Sequence, residues 1–539
     1  MATYFVDFKN GSDSSGTGAT GNPWKTPAKA LTVVTSGDTV KFRGSKTDST
    51  TYYRAAWNAS VAGVTWTNDT GHTPTWHGGF HTGENDYGLT GTVPGSAYAS
   101  MIKITAHNVT LSGLRVQHVG GEGFGVDFLG NSEDVGVENA TITNCESDVT
   151  YGAAMVVTGK RKNNGDIVGP IAPEISYCTF TRMGAGKFDP DKESGKRGKD
   201  AVQGSIQLLH CYDAHFHHNL CAYGWGEGIN VGRGSTRSIV EYNVVHTMDH
   251  IHIAMVRCSD CDVRYNVVYH TKHPDFLGGK GGATDIPPSF RIGDEMGDKM
   301  LLYSHSVKQR LYGNLAIGGS YCFTVQNGGN FQTRLDRAYI GYNTFIGELS
   351  HPTLGTPPTD YVFKIDAHGG DGAHINSLVE NNICYAPRGV PMVKAEGVGG
   401  VTFRNNAWYS VDGTAAPEAA RSGTDITADP QIADPLRALI DAYPNPAATA
   451  TGFSFNNYRL LADSPVIGRA SGRGATNGVT PPTITQDLTG AARTDYDINN
   501  ARYYDIGAIE YNGVVADSVT ASFSGAPRSG NAPLSVAFT

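Results

Sequence analysis

The sequence lacks the features of a membrane protein, a nucleic-acid-binding protein or a helical bundle. No apolar run in its 539 residues approaches the length of a membrane span. Asp and Glu (51) outnumber Lys and Arg (42), for a net charge of −9, whereas a nucleic-acid partner usually requires a basic face. Only 17% of the residues are charged, and helix-rich proteins carry more Glu, Lys, Leu and Ala. We therefore expect no nucleic-acid partner, no membrane insertion and little helix.

Two further absences concern the compartment and metal chemistry. Residues 1–7 contain no basic stretch followed by an apolar core, so no signal peptide is visible in this chain. The eight cysteines are spread along the sequence, and only Cys258 and Cys261 have the spacing of metal ligands. We therefore expect most cysteines to be small core residues. Export would then depend on a signal already removed or on another route, such as phage assembly and lysis.

The sequence does contain 68 Gly and a recurring phrase in which Asn is followed by two or three apolar residues and a polar turn. Successive copies at Asn219, Asn243 and Asn266 are 24 and 23 residues apart. This period is too short for a βαβ unit, and the segments are too β-branched for helical hairpins. Each repeat therefore predicts one coil of a solenoid, with the Asn side chains stacked in an internal ladder. The predicted ladder is Asn139, Asn219, Asn243, Asn266, Asn314, Asn343, Asn382 and Asn406.

This repeat resembles that of the right-handed parallel β-helix proteins, a group rich in polysaccharide lyases, glycoside hydrolases, epimerases and phage tailspike depolymerases. Residues 4–40 resemble the first strand, capping helix and first coil of that group, and residues 464–468 and 505–511 resemble its final segment. The resemblance implies an all-β right-handed parallel β-helix with an N-terminal capping helix over nearly all of residues 1–512. Residues 513–539 resemble the start of a PKD-type immunoglobulin-like domain, which implies an extracellular protein with further C-terminal modules.

We expect four segments along the chain. They are an N-terminal cap and insertion (1–100), the β-helix core (101–410), a C-terminal part of the β-helix region (411–512) and the incomplete PKD-like domain (513–539). Residues 434–441 have the Pro and the apolar spacing of a short helix. In the insertion, the tryptophans either wall one side of a groove or pack on the solenoid. They are Trp57, Trp66 and Trp76.

One sheet of the solenoid is predicted to carry a polar outer face. Alternate residues of a strand face opposite sides, so aligning the coils by their apolar residues gives the outward residues. The alignment predicts an outward stack of Asp127, Gln207, Asn230, His252, Thr324 and Lys364. Such a face suits a sugar, although a merely solvated sheet has the same pattern. The residues assigned to substrate binding are Gln207, Tyr223, Trp225, Asn230, His250 and Lys364.

Histidines concentrate near the middle of this stack. Nine of the 18 lie between residues 210 and 273, and histidine can act as acid or base near neutral pH. His252 is the best catalytic candidate because it is expected to face outward between apolar neighbours, the alternative being a solvated or purely binding residue. His217 and His218 are expected to be structural turn residues. His246 and His270 occupy equivalent repeat positions and are expected to stack.

Two mechanisms fit these residues. A lyase needs a base, His252 or Lys272, and a cation beside the uronate carboxylate, Arg233 or Arg257. A glycoside hydrolase needs two carboxyl groups across the glycosidic bond. The carboxyl candidates are Asp127, Glu227, Asp249 and Asp275.

Calcium is the one candidate cofactor. Two acidic groups in loops can bind it, although such groups are usually solvated. They are Asp189, Asp191 and Glu193, and Asp495 with Asp497. Histidine and arginine cluster more densely than carboxylates, so we predict an extracellular, secreted, cell-surface or virion-borne enzyme that cleaves a uronate-containing polysaccharide by β-elimination. The alternatives are a glycoside hydrolase on the same fold and a non-catalytic glycan-binding adhesin or phage tail protein.

Overall fold

The computed structural model describes most of the chain as two compact units. The described residues are 1–79, 100–130, 134–150, 152–162, 166–184, 206–224, 226–248, 251–270, 290–293, 307–325, 327–328, 331–332, 334–348, 360–366, 374–437, 439, 453–471, 475–476, 478–493 and 504–511. The first unit is Met1–Asn230 and the second begins at Val231. Each unit is a right-handed parallel β-helix whose coils contribute short strands to three all-parallel sheets, here called A, B and C. The predicted fold class is confirmed.

In the first unit, strands are numbered in chain order. Sheet A contains β1 (Thr3–Asp7), β2 (Thr39–Arg43), β4 (Thr65–Asn68), β7 (Thr110–Ser112), β10 (Thr141–Thr143), β15 (Glu174–Ser176) and β18 (His215–His217). Sheet B contains β5 (Thr75–His77), β8 (Arg115–Val119), β11 (Glu146–Thr150), β16 (Thr179–Met183) and β19 (Leu220–Gly224). Sheet C contains β3 (Trp57–Ala59), β6 (Ser100–Ile104), β9 (Glu122–Val126), β12 (Met155–Thr158), β17 (Ile206–Leu209) and β20 (Ile229–Gly232), which runs across the boundary at residue 230. A hairpin outside the sheets pairs β13 (Lys160–Arg161) with β14 (Ile167–Val168).

The second unit continues the numbering. Sheet A contains β21 (Ile239–Glu241), β24 (Asp262–Arg264), β27 (Arg310–Tyr312), β32 (Tyr339–Gly341), β35 (Ser377–Glu380) and β38 (Val401–Arg404). Sheet B contains β22 (Val244–Met248), β25 (Val267–Tyr269), β28 (Leu315–Ile317), β33 (Thr344–Ile346), β36 (Ile383–Ala386) and β39 (Ala407–Ser410). Sheet C contains β23 (Ile253–Val256), β26 (Phe290–Gly293), β29 (Tyr321–Val325), β34 (Tyr361–Ile365) and β37 (Val393–Ala395). A hairpin pairs β30 (Asn327–Gly328) with β31 (Phe331–Gln332).

Within the described residues, helices are few and short, as the composition predicts. The capping helix α1 (Pro27–Leu31) begins at Thr26, whose hydroxyl accepts a hydrogen bond from the Lys29 amide at 3.2 Å. A second α-helix in the described ranges, α2 (Phe455–Tyr458), is not the predicted one. Residues 434–437 form a turn, and only residue 439 is described in the rest of that segment. Among the residues that the structure describes, 3₁₀ turns lie at Ser49–Thr51 and Glu418–Ala420. No helix among the described residues has the length and apolarity needed to span a membrane.

The asparagine ladder runs through the second unit as predicted. Each Nδ2 donates to the Oδ1 of the next Asn at 2.9 or 3.0 Å, in the order Asn243, Asn266, Asn314, Asn343, Asn382 and Asn406. At the end of the ladder, the backbone N–H of Asn406 donates to Asp425 Oδ1 at 2.9 Å. In the first unit the same position holds Asn219, Cys178 and Cys145, and the Cys178 amide donates to Asn219 Oδ1 at 2.8 Å.

One ladder assignment is wrong. Asn139 is exposed, has a φ of 53° and donates to Asn108 Oδ1 at 3.0 Å, so it is a turn residue before β10. Asparagine tolerates a positive φ better than most residues do, so it recurs at turns as well as in the ladder. The residue just before the ladder also has a positive φ in successive coils: Tyr177, His218, Tyr242, Tyr265, Gly313, Tyr342, Asn381 and Asn405. His218 stacks on Tyr177 with ring centroids 5.0 Å apart, as expected of a structural turn residue.

The N-terminal tryptophans form part of the core. Trp57, Trp66 and Trp76 are at most 5% exposed, and the rings of Trp57 and Trp66 lie 4.8 Å apart. They belong to β3, β4 and β5, so residues 57–77 supply strands of successive N-terminal coils and do not form an insertion. The prediction that these tryptophans pack on the solenoid is therefore correct, and the prediction that they form one wall of a groove is wrong.

Candidate functional site

On the outer face of sheet C in the first unit, one member of the predicted stack lies two positions away from its expected place. Lys103, Gly125, Val156 and Gln207 occupy one register column across β6, β9, β12 and β17. The flanking residues of β9, Phe124 and Val126, have no exposed surface and belong to the core. Asp127 therefore lies two positions beyond the column in which it was expected, just after β9.

Four polar side chains meet on this face. The Ser100 hydroxyl donates to Glu122 Oε2 at 2.7 Å, and Lys103 Nζ lies 3.1 Å from Asp127 Oδ2. A Cβ at Gly125 would lie 2.3 Å from Ser100 Oγ and 3.6 Å from Lys103 Cγ. Glycine at this position therefore allows the serine and the lysine to share the surface of the strand with the two carboxyl groups. We call Ser100, Lys103, Glu122 and Asp127 the carboxyl cluster.

The two carboxyl groups of the cluster have different environments. Burial raises the pKa of Glu122; Ser100 and Lys103 lower it in part, and the charge of Asp127 raises it further. Asp127 instead forms the ion pair with Lys103, while its Oδ1 is buried without a hydrogen-bond partner. Burial thus shifts the pKa of Glu122 towards its protonated form, whereas Asp127 forms an ion pair with Lys103, and acid–base catalysis uses two carboxyl groups in such different environments.

Other predicted residues of the first unit lie at the end of this sheet or away from it. Asn230 Nδ2 donates to the carboxylate of Glu227, which is 5% exposed, and Asn230 Oδ1 is buried without a hydrogen-bond partner. Gln207 is 6% exposed in the outer column. Tyr223 belongs to sheet B and has no exposed surface, so the expectation that it reaches the groove is wrong. Trp225 lies outside the described residues.

In the second unit, the outer column of sheet C contains Ala254, Arg291, Thr324, Lys364 and Lys394. The predicted neighbours Thr324 and Lys364 are confirmed as register partners. His252 does not belong to this outer column, because it precedes β23 and lies two residues before Ala254.

Around Lys364 the second unit has a group of charged and aromatic side chains. Lys364 Nζ lies 2.9 Å from Asp366 Oδ2 and 4.6 Å from the centre of the Tyr321 ring. Lys394 Nζ lies 3.5 Å from Asp366 Oδ1 and 3.3 Å from Glu396 Oε2. Burial, with Asp360 nearby, raises the pKa of Tyr321 to about 12.

The histidines of the second unit are buried. His252 has no exposed surface, contrary to the expectation of an accessible outward residue, and its ring lies 5.7 Å from that of His270 in a T-shaped arrangement. His246 stacks on Tyr269 at 4.9 Å, since these two are register partners, so the expected pairing of His246 with His270 is wrong. Burial, together with the nearby His270, lowers the pKa of His246 to about 3. Protonation of His246 near neutral pH is therefore unfavourable.

The two predicted arginines follow successive strands of sheet C. Arg233 and Arg257 have φ values of 51° and 55°, and the Arg233 amide donates to the carbonyl of Val256 at 2.9 Å. Arg233 is exposed, whereas Arg257 is 7% exposed. The remaining predicted catalytic and binding residues lie outside the described part of the chain: Asp249, His250, Lys272 and Asp275.

Metal binding finds no support within the described ranges. No group of three or more His, Cys, Asp or Glu residues there is arranged to hold a metal ion. Both predicted calcium-binding groups, at residues 189–193 and 495–497, lie outside those ranges, as does the PKD-like segment 513–539. Calcium remains a proposal.

Sequence reasoning missed Ser100, Lys103, Glu122 and Lys394. All four lie in short strands that match the apolar spacing of the coils, such as Ile102-Lys103-Ile104 and Phe124-Gly125-Val126. Aligning these two strands would have placed Lys103 in the outer column. Glu122 gives no such signal, because its contact with Ser100 depends on the register of two separate coils.

Comparison with known proteins gives a fold but no family. No family model and no curated protein matches the sequence. Among solved structures, the complex of XylC with xylose has a TM-score of 0.52 at 11% identity, covering 94% of this chain and 98% of XylC. Pectate lyase Pel9A has a TM-score of 0.45 at 12% identity over 95% and 97% of the two chains, and the PL6 family alginate lyase AlyGC has 0.42 at 14% over 85% and 58%. At 11% identity, the match to XylC establishes a shared parallel β-helix fold.

Proposed function

We propose that the protein is a carbohydrate-active enzyme that hydrolyses a glycosidic bond of an extracellular polysaccharide on the outer face of sheet C in the first unit. The carboxyl cluster carries this proposal. A glycoside hydrolase uses one carboxyl group that is protonated and a second that is ionised. Glu122, whose pKa is raised by burial, is our candidate for the first role, and Asp127, which pairs with Lys103, is our candidate for the second.

Each member of the cluster then has a role. Glu122 donates its proton to the oxygen of the leaving sugar, while Ser100 fixes the orientation of its carboxyl group. Asp127, whose side chain is 21% exposed, either attacks the anomeric carbon or activates a water molecule. The buried acceptor atoms of Asp127 and Asn230 that lack partners suit a ligand rich in hydroxyl groups.

β-Elimination on a uronate-containing glycan is the second candidate. It is favoured by the two lysines on the outer face of sheet C in the second unit, which can neutralise a uronate carboxylate. His252 or Lys272 as base, and Arg233 or Arg257 as cation, remain proposals for this chemistry. We rank it second because a substrate would have to reach His252, which has no exposed surface.

A glycan panel distinguishes the two reactions. Alginate, pectin, glycosaminoglycans, xylan and bacterial exopolysaccharides are incubated with the protein, and both reducing ends and the ultraviolet absorbance of unsaturated uronates are followed. Hydrolysis releases reducing ends alone, whereas elimination raises both signals. A rise in both signals overturns the hydrolase proposal.

Variants then test the assignment. Glu122→Gln and Asp127→Asn should each lower kcat by a factor of about 10² or more. The matched control is Glu138→Gln, since Glu138 is an exposed carboxylate of the same unit outside sheet C, and it should retain full activity. Full cleavage by Glu122→Gln would remove Glu122 from the mechanism.

A further inference from the structure

The two carboxyl groups of the carboxyl cluster come from opposite ends of one strand. Glu122 is the first residue of β9, and Asp127 follows its last residue, Val126. Each residue of a strand advances the chain by about 3.3 Å, so the backbone carries the two side chains apart. The carboxyl groups approach each other only as far as the side chains lean inward, and the contacts of Ser100 and Lys103 define that approach.

Ser100 fixes the position of the Glu122 carboxyl group. The Ser100 hydroxyl lies so close to the outer surface of Gly125 that a Cβ there would collide with it, and it donates to Glu122 Oε2 at 2.7 Å. The carboxyl group of Glu122 is therefore held above Gly125. Asp127 is the next residue after Gly125 that faces the same side, because side chains alternate along a strand. Positions two residues apart on a strand are separated by about 6.6 Å, so we place the two carboxyl groups about 7 Å apart.

Lys103 occupies part of the space between them. It is the register partner of Gly125, its Cγ lies 3.6 Å from the Cβ position of that glycine, and its Nζ lies 3.1 Å from Asp127 Oδ2. Burial is the largest influence on the pKa of Glu122 and raises it, while the charge of Lys103 lowers this pKa by more than that of Asp127 raises it. The ammonium group is therefore the nearer of the two charges, which agrees with the order Glu122, Lys103 and Asp127 across the face.

The separation of the carboxyl groups distinguishes the two forms of glycoside hydrolysis. In retaining enzymes the second carboxylate attacks the sugar, and the two groups are about 5–5.5 Å apart. In inverting enzymes a water molecule attacks, and the groups are about 6.5–9.5 Å apart to leave room for it. A separation of about 7 Å falls in the second range. The space between the groups is also open to solvent, since the side chains of Lys103 and Asp127 are 30% and 21% exposed.

We infer that Asp127 acts as a general base on water and that hydrolysis inverts the configuration of the anomeric carbon. The inference rests on the proposed function and selects one of the two roles that it allows Asp127. Asp127 takes a proton from the water molecule, whose oxygen bonds to the anomeric carbon as the bond from that carbon to the leaving oxygen breaks. Glu122 gives its proton to the leaving oxygen. Proton exchange with solvent then restores both carboxyl groups, and the reaction requires no oxidant or reductant.

Proton NMR of the first products tests the inference with the unmodified full chain. The probes are a xylo-oligosaccharide, whose linkages are β, and an oligogalacturonate, whose linkages are α, and any other glycan cleaved in the panel is analysed in the same way. Inversion gives α reducing ends from the first probe or β reducing ends from the second, before mutarotation mixes the anomers. Parallel samples contain methanol, because a covalent glycosyl-enzyme intermediate transfers its sugar to an alcohol. Direct attack by a bound water molecule gives no methyl glycoside.

Gly125→Ala tests the position of the Glu122 carboxyl group. The added methyl group displaces the Ser100 hydroxyl and with it the carboxyl group, so kcat should fall by about tenfold or more, since misplacement by about 1 Å can cost a factor of about 10². The product that is still formed should remain inverted. The matched control is Gly21→Ala, which should cleave as the parent does because no atom lies within 4 Å of a Cβ at Gly21. Thermal melts check that both variants are folded.

Retention of configuration, or formation of a methyl glycoside, overturns the inference and leaves the proposed function standing, because loss of cleavage in Glu122→Gln tests that function separately. The parental rate in Gly125→Ala also overturns it, since the carboxyl group would then not lie above that glycine. If no glycan of the panel yields reducing ends, the proposed function and the inference fail together. Inverted products without methyl glycoside, together with slow cleavage by Gly125→Ala, support the inference.

Discussion

At the scale of single residues, the environment of Glu122 predicts a pH profile. Its pKa is raised by burial above the ordinary 4.5, and a general acid must be protonated to act. We therefore expect kcat/KM to fall on the alkaline side with an apparent pKa above 4.5. The measurement is the rate on the glycan identified by the panel over a range of pH. A rate that rises steadily through this range would contradict the assignment of Glu122 as the acid.

Ser100 offers a sharper residue-scale test. Its hydroxyl donates to the Glu122 carboxyl group and lowers the pKa of Glu122 by stabilising the charged form. Ser100→Ala should therefore move the alkaline limb of the profile to higher pH. Ser100→Thr keeps a hydroxyl and should leave the limb nearer that of the parent. An alkaline limb that does not move in Ser100→Ala would separate Ser100 from the protonation of Glu122.

At the scale of secondary-structure elements, the Asn ladder should contribute strongly to stability. Asn314 is fully buried, accepts from Asn266 and donates to Asn343 and to two backbone carbonyls. Asn314→Ala leaves these groups unpaired and should lower the free energy of unfolding by about 2–4 kcal/mol, from typical costs of unsatisfied buried groups. Urea denaturation measures this loss. Asn58→Ala, at an exposed strand position, is the control and should have little effect.

The ladder also indicates how much of the fold can be predicted from the sequence. Coils repeat the same buried amide contact, so the Asn spacing alone predicts the solenoid, as Asn243 and Asn266 illustrate. The candidate site does not repeat. The apolar pattern Ile251-His252-Ile253 predicts His252 in the outer column, yet the strand begins at Ile253 and its residue in that column is Ala254. Loops of variable length separate the strands, and their length sets the register without leaving a periodic signal.

A second element-scale prediction concerns the outer face of sheet B in the first unit. Asp148, on β11, is buried between Arg115 and Arg182 and accepts from Thr181 at 2.9 Å. Burial raises the pKa of Asp148, but the two arginines outweigh this effect and the pKa is lowered overall. The ionised form is therefore stabilised by folding, and this stabilisation is lost as the pH falls below about 4.

Asp148→Asn should show this dependence directly. At pH 7 it leaves two arginines without their shared carboxylate and should cost about 3–5 kcal/mol, as removal of one partner of a buried ion pair typically does. The difference from the parent should shrink as the pH falls below about 4. Asp134→Asn, at a carboxylate that is 73% exposed and paired with Lys162, should be neutral. A constant difference between pH 7 and pH 3 would contradict the role of the Asp148 charge.

At the scale of the whole chain, the eight cysteines link stability to the proposed extracellular location. All eight are buried, and none of them forms a disulfide. Burial raises the pKa of Cys221, Cys322 and Cys384, which suppresses the thiolate form that reacts with oxidants and thiol reagents. Small secreted domains often depend on disulfides, whereas this fold buries its thiols within the solenoid as core residues. Its stability should therefore be independent of redox conditions.

Thiol titration tests this argument. The native protein should react negligibly with Ellman's reagent, and denaturation should release eight reactive thiols. Addition of dithiothreitol should leave the Tm unchanged, because no disulfide is present to be reduced. Fewer than eight thiols after denaturation, with a Tm that falls on reduction, would show that the chain gains stability from a disulfide in an oxidising compartment. An unchanged Tm instead means that the β-helix needs no disulfide for its stability, because the Asn ladder and the stacked core supply it.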